Sequence, residues 1–142
     1  MPKQLSCYDV TPMDICGFAV QAETDAEVLE HLTEHGKLRH GLTVEDLTPE
    51  MMSLVHSRVR EVPVRKPPRF NFSPRATPSL LCCDDVTVGE CVFAIQCDDL
   101  EEILEHVQVH TGERHDTGQA TSMGELMALA RGRIRAVREA SR

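Results

Sequence analysis

The stretch CGFAVQAETDAEVLEHLTEHGKLRHG, residues 16–41, holds a strand, a helix start and a helix end in one run. Cys16, Phe18, Val20 and Ala22 recur with the period of two that marks a half-buried strand. Thr24 followed by Glu27 forms a capping box that opens a helix. Val28, Leu29 and Leu32 give this helix an apolar face, and Gly41 ends it. Three of the chain's 7 histidines, His31, His35 and His40, fall on it.

Upstream, Leu5 and Cys7 alternate with polar residues as a second strand, and TPMDI supplies a hairpin turn. Downstream, Thr48 and Pro49 open a second helix that carries Met51, Met52, Leu54, Val55 and Val59. The expected unit is β-β-α-α. A shift of 75 residues aligns Leu5, Cys7 and Asp9 with Leu80, Cys82 and Asp84 without a gap. It also aligns Cys16 and Phe18 with Cys91 and Phe93, and His31, His35 and His40 with His106, His110 and His115. In the second copy Asp99 and Glu102 stand at the cap of the first helix, and Ser122 and Glu125 open the last. The reading is a tandem duplication of an α+β, zinc-finger-like unit, each a β-hairpin covered by one helix with a second beside it. The units span 1–62 and 79–142, joined by a proline-rich basic linker at 63–78. A unit of this size is marginal alone, so the two either pack on each other or need a staple.

Cys7 and Cys16 share the hairpin face that the helix must cover. The strand from Cys16 to Ala22 covers ~20 Å, and the helix needs ~13 residues to travel back. It therefore draws level with Cys16 near residue 38, bracketed by His35 and His40, while His31 falls short. Residues five apart sit ~140° apart around an ideal helix, so convergence of His35 and His40 requires distortion near Gly41. Two thiolates and two imidazoles suit zinc in a closed, structural site. The expected ligands are Cys7, Cys16, His35 and His40, with Cys82, Cys91, His110 and His115 as the second set, and two zinc ions per chain. A Cys7–Cys16 disulfide would leave the histidines unexplained. His31 and His106 are assigned packing or supporting roles. Cys97 is assigned to the core, and Cys83 points away as an exposed thiol. HTGER at 110–114 looks like the linker that follows a DNA-binding finger, but it lies within a helix and no basic finger follows.

The formal net charge is −8, distributed as −6 over 1–62, +4 over 63–78 and −6 over 79–142. That balance argues against a general nucleic-acid or acidic-membrane binder. No stretch reaches the length of a membrane span, and MPKQLSCYDV lacks a signal-peptide core. The expected location is cytoplasmic, where the 6 cysteines are thiols or metal ligands. The linker reads as a spacer lying on the acidic units, or alternatively as a partner-binding segment anchored by Phe70 and Phe72.

LSCYDV, the 16–41 run and LTPEMMSLVHSRVREV together resemble domain-of-unknown-function family 1059, described as small metal-binding proteins. The resemblance covers residues 4–62 and, more loosely, 79–137. It implies metal binding through Cys7, Cys16, His35 and His40, and through Cys82, Cys91, His110 and His115, without an assigned activity. The leading reading is a non-enzymatic metal-binding module with an unidentified protein partner. A nucleic-acid regulator is the alternative, using Arg65, Lys66, Arg69 and Arg75 of the linker and a helical stripe of Arg131, Arg135, Arg138 and Arg142. A thiolate-based metal or redox sensor is another. An enzyme is not expected, because four protein ligands leave zinc no open position.

Overall fold

The computed structural model of the chain describes residues 2–10, 16–65, 68–73, 75–85, 91–114 and 123–137. The N-terminal half runs β1 (Lys3–Ser6), the one-turn helix α1 (Cys7–Val10), β2 (Ala19–Ala22), α2 (Asp25–Arg39), α3 (Pro49–Ser57) and β3 (Arg60–Glu61). The C-terminal half runs β4 (Ser79–Cys82), β5 (Ala94–Cys97), α4 (Leu100–Arg114), α5 (Met123–Arg133) and β6 (Arg135–Ala136). The class is α+β. The expected strands are shorter than their alternation suggested: Cys7 opens α1, and Cys16 lies ahead of β2. Residues 11–15, expected as the hairpin turn, lie outside the described residues, as do Lys66 and Ser122.

All six strands join in one antiparallel sheet, in the order β3-β1-β2-β5-β4-β6. The halves meet where β2 pairs with β5, with Ala19 opposite Gln96, Val20 opposite Ile95 and Gln21 opposite Ala94. Val20 and Ile95 are equivalent positions under the 75-residue offset. The joint is therefore centred on a local twofold, the geometry of a self-complementary interface. The same bond is made twice across it. Gln21 Nε2 donates to the Val92 carbonyl at 2.7 Å, and Gln96 Nε2 donates to the Gly17 carbonyl at 3.0 Å. The outer strands β3 and β6 are two residues long and exposed. Short, charged edges of this kind resist pairing with another chain.

One face of the sheet lies under the helices. Leu5, Phe18, Val20, Leu81, Phe93 and Ile95 pack there against Val28 and Leu32 of α2 and Ile103, Leu104 and Val107 of α4. Val55 of α3 and Ala130 of α5 close the ends of this core. A 60-residue unit alone buries only about 60% of its unfolded surface; here both halves share one core.

The other face is covered by the linker. Phe70 and Phe72 are buried, and Phe70 packs on Ala19, Leu80, Cys82 and Ala94. This overturns the reading of these two rings as anchors for a partner: they bury their apolar surface against the chain itself. Asn71 Nδ2 donates to Asp9 Oδ1 at 2.7 Å, tying the strap to α1. Gly17 permits a close approach, since a Cβ there would stand 2.8 Å from both Pro78 and Asp98. Its N–H donates to Asp98 Oδ2 at 2.7 Å. The arginine stripe is also corrected. α5 ends at Arg133 and Arg135 belongs to β6, so Arg131 and Arg135 do not share a helix face. Arg131 pairs with Glu101 at 2.9 Å, and Arg138 and Arg142 lie outside the described residues.

Candidate metal centre

α2 starts where the capping pattern placed it. The Thr24 hydroxyl accepts the Glu27 N–H at 3.2 Å. Asp25 and Glu27 in the first turn, and Lys37 and Arg39 in the last, complement the helix dipole. The helix stops at Arg39. His40 leaves helical geometry at φ −112° and ψ 2°, and Gly41 takes φ +67°, a region that favours glycine. The expected distortion is therefore present, and its effect is specific: it turns His40 back toward His35.

The four side chains Cys7, Cys16, His35 and His40 meet, with one ligand atom of each within 4.8 Å of all the others. Cys7 Sγ lies 3.4 Å from His40 Nε2, and Cys16 Sγ lies 3.2 Å from His35 Nε2. The two Nε2 atoms are 3.2 Å apart. Zinc–ligand lengths of about 2.3 Å to sulfur and about 2.05 Å to nitrogen give tetrahedral edges of about 3.6 Å for S···N and about 3.3 Å for N···N. The observed edges are within a few tenths of an ångström of these. The donor set and its spacing thus fit a metal ion.

The electrostatics also suit a metal. The Cys7 side chain and then His35 hold the Cys16 thiol down, to about 4, against the opposing effect of burial. Burial disfavours a charge on His35, but Cys16 and Glu102 outweigh it and raise the imidazole to about 9. The thiolate is the form that ligates.

In the C-terminal half the group that meets is Cys83, Cys91 and His110. Cys91 Sγ is 3.3 Å from His110 Nε2. His115, the fourth expected ligand, lies outside the described residues. Cys82 is not in the cluster. It packs on the opposite face, against Phe70, Leu80 and Ala94, whereas Cys83 is buried in the helix-side core rather than exposed. The reason is register. Lys3 faces Ala22 and Ser79 faces Cys97, so the first strands are offset by 76 residues and the second strands by 75. Cys7 N–H donates to the Phe18 carbonyl, and it is Cys83 N–H that donates to the Phe93 carbonyl. The gapless alignment fails by one residue, and one residue moves a strand side chain to the other face. The run LLCCDD at 80–85 satisfies Leu-x-Cys-x-Asp in either register, so identities alone did not discriminate.

Behind the ligands lies a buried polar network that sequence reasoning missed. His35 Nδ1 faces Glu102 Oε2 at 2.5 Å, and His110 Nδ1 bonds Glu27 Oε2. Each histidine is thus held by a carboxylate from the other half. Phe18 stacks on His35 at 4.0 Å between ring centroids, and Phe93 on His110 at 3.9 Å. His31 and His106 meet at the local twofold, Nδ1 to Nδ1 at 2.8 Å, and His106 Nε2 lies 3.3 Å from Glu102 Oε2. Neither is placed in a ligand cluster, in keeping with a packing role. Burial pushes His106 below its usual range. Burial works against ionised Glu102, yet His106, His35 and Arg39 hold it well below the usual carboxylate range. Arg39 Nε donates to Glu102 Oε1 at 2.6 Å. Cys97 is buried as expected, and that burial pushes its thiol well up. The capping pattern marked Glu27 and Glu102 as residues of the first helical turn; their inward role carries no local signature.

Fold and site together define an α+β protein whose Cys/His groups can hold a metal ion. Residues 2–61 match the family described as "Protein of unknown function (DUF1059)". No curated protein and no solved structure matches the chain. Among the described residues, no helix is long and apolar enough to cross a membrane.

Proposed function

We propose that the chain is a non-enzymatic zinc protein that holds two ions. Cys7, Cys16, His35 and His40 bind one, and Cys83, Cys91 and His110 with His115 bind the other. The observation that carries this reading is the match between the Cys7, Cys16, His35 and His40 contacts and the edges of a zinc tetrahedron. Two soft thiolates with two imidazoles select zinc over hard cations. Four protein donors close the coordination sphere, so the metal would staple loop to helix rather than activate water. The first ion would tie α1 and the loop before β2 to the end of α2, contributing directly to folding. The surface then serves an interaction or regulatory role with a protein partner. A nucleic-acid role finds less support, because the helical arginine stripe is interrupted at Arg133 and Arg131 is paired with Glu101.

Elemental analysis of protein purified without a histidine tag or chelator tests the reading. About two equivalents of zinc are expected. Less than one equivalent of any transition metal would defeat it.

A further inference from the structure

We propose that Glu27 and Glu102 are exchanged positioning residues: each orients the metal-ligating histidine of the opposite half, and this couples the two metal sites. The inference rests on the zinc reading. α2 carries His35, with His40 just past its end, for one site and Glu27 for the other; α4 carries His110 for one and Glu102 for the other. A carboxylate that accepts the Nδ1–H fixes the tautomer in which Nε2 offers its lone pair to the metal, and it fixes the ring as well. Here both carboxylates are buried, Glu27 at 3% and Glu102 at 1% exposure, so neither can be replaced by bulk water.

The geometry gives the coupling its sign. Metal at the first site clamps the end of α2 onto Cys7 and Cys16. That fixes the placement of Glu27 two turns upstream, beneath His110. Metal at the second site does the same for Glu102 through α4. Each ion thus prepares the site of the other, which is positive linkage and is reciprocal. The His31–His106 contact lies between the two carboxylates, with His31 Nε2 3.8 Å from Glu27 Oε2 and His106 Nε2 3.3 Å from Glu102 Oε2. It locks the helices at the point where they would otherwise slide.

The test is cobalt(II) titration of the full chain after metal removal, with the thiolate charge-transfer band as readout. In a Cys83→Ser background, where the first site remains, Glu102→Gln should weaken binding about 10–100-fold. Glu27→Gln in that background should change it by less than about threefold. In a Cys7→Ser background the two effects should exchange. Weakening confined to the site of the mutated residue's own half, or equal weakening of both, would overturn the proposal, because a general structural defect does not cross over. Native mass spectrometry of the unmodified chain gives a second measurement that needs no variant to fold. At half saturation the singly loaded species should fall below about half, a level that independent sites, equal or unequal, cannot go under; a level at or above half, with the two single-site affinities from the variant backgrounds agreeing within about threefold, would overturn the coupling. A wild-type chain that takes up no cobalt would instead defeat the zinc reading itself.

Discussion

The two ligand clusters occupy equivalent places in the fold but have different surroundings. The N-terminal cluster borders a cavity of about 520 Å³ lined by Arg39, Arg75, Asp98 and Asp99. Near the C-terminal cluster, Cys91 lines a second cavity with Val64, Arg65 and Pro68 of the linker. Glu102, behind the first cluster, is held by His35, His106 and Arg39, with Arg39 also reaching Asp99 at 2.5 Å. Glu27, behind the second, bonds His110 and stands 3.8 Å from His31. Cys97, at the end of β5, stands in the shared core where Ala22 stands at the end of β2. The comparison teaches that equal ligand spacing sets donor chemistry, while the residues packed around each cluster set the charge and polarity of the cavity beside it.

The largest expected effect comes from separating the halves. Residues 1–62 alone would expose the β2 edge and half of the core, so a folded monomer is not expected. Glu27 occupies in α2 the place that Glu102 occupies in α4, so this fragment carries every partner needed for a symmetric pair. With zinc it should sediment as a homodimer. A stable, folded monomer would break the comparison.

The register shift predicts a clear contrast between neighbouring cysteines. Cys83→Ser should lose one of the two metal equivalents, whereas Cys82→Ser should keep both. Elemental analysis of the two variants decides it, and the reverse result would restore the gapless alignment. On the linker side, Phe70→Ala should cost about 3–5 kcal/mol in denaturant unfolding, the usual loss for a buried ring. Metal content should remain unchanged, because Phe70 itself packs on the sheet face away from the helices. The smallest effect concerns Arg39. Its side chain is 41% exposed, so Arg39→Ala should cost no more than about 1 kcal/mol. It should nevertheless loosen the first site more than the second, and site-resolved cobalt affinities would sharpen the comparison.

Much of the local structure was legible in the sequence. The cap at Thr24, the stop at Gly41 and the helix length placed His35 and His40 level with Cys16, because rise per residue and capping chemistry are local properties. The need for a distorted helix end was legible too. The choice between Cys82 and Cys83 was not, since doubled Leu, Cys and Asp at 80–85 fit both registers equally well. The linker read as a spacer lying on the acidic units, and the alternative that made Phe70 and Phe72 partner anchors stayed open because nothing local shows that a sheet face awaits them. Glu27 and Glu102 read as ordinary first-turn acids, although their partners lie 83 and 67 residues away.

By itself, then, the sequence determined the α+β elements, the repeated donor types and the convergence of Cys7, Cys16, His35 and His40. Tertiary structure alone decided that both halves share one sheet, that the linker closes its second face, that Cys83 rather than Cys82 lies beside Cys91 and His110, and that each histidine leans on a carboxylate from the other half. The reason is physical. Periods, caps and helix rise act over a few residues and are written locally. Strand register and buried-charge pairing depend on which surfaces meet, and a one-residue slip that barely alters composition exchanges the two faces of a strand.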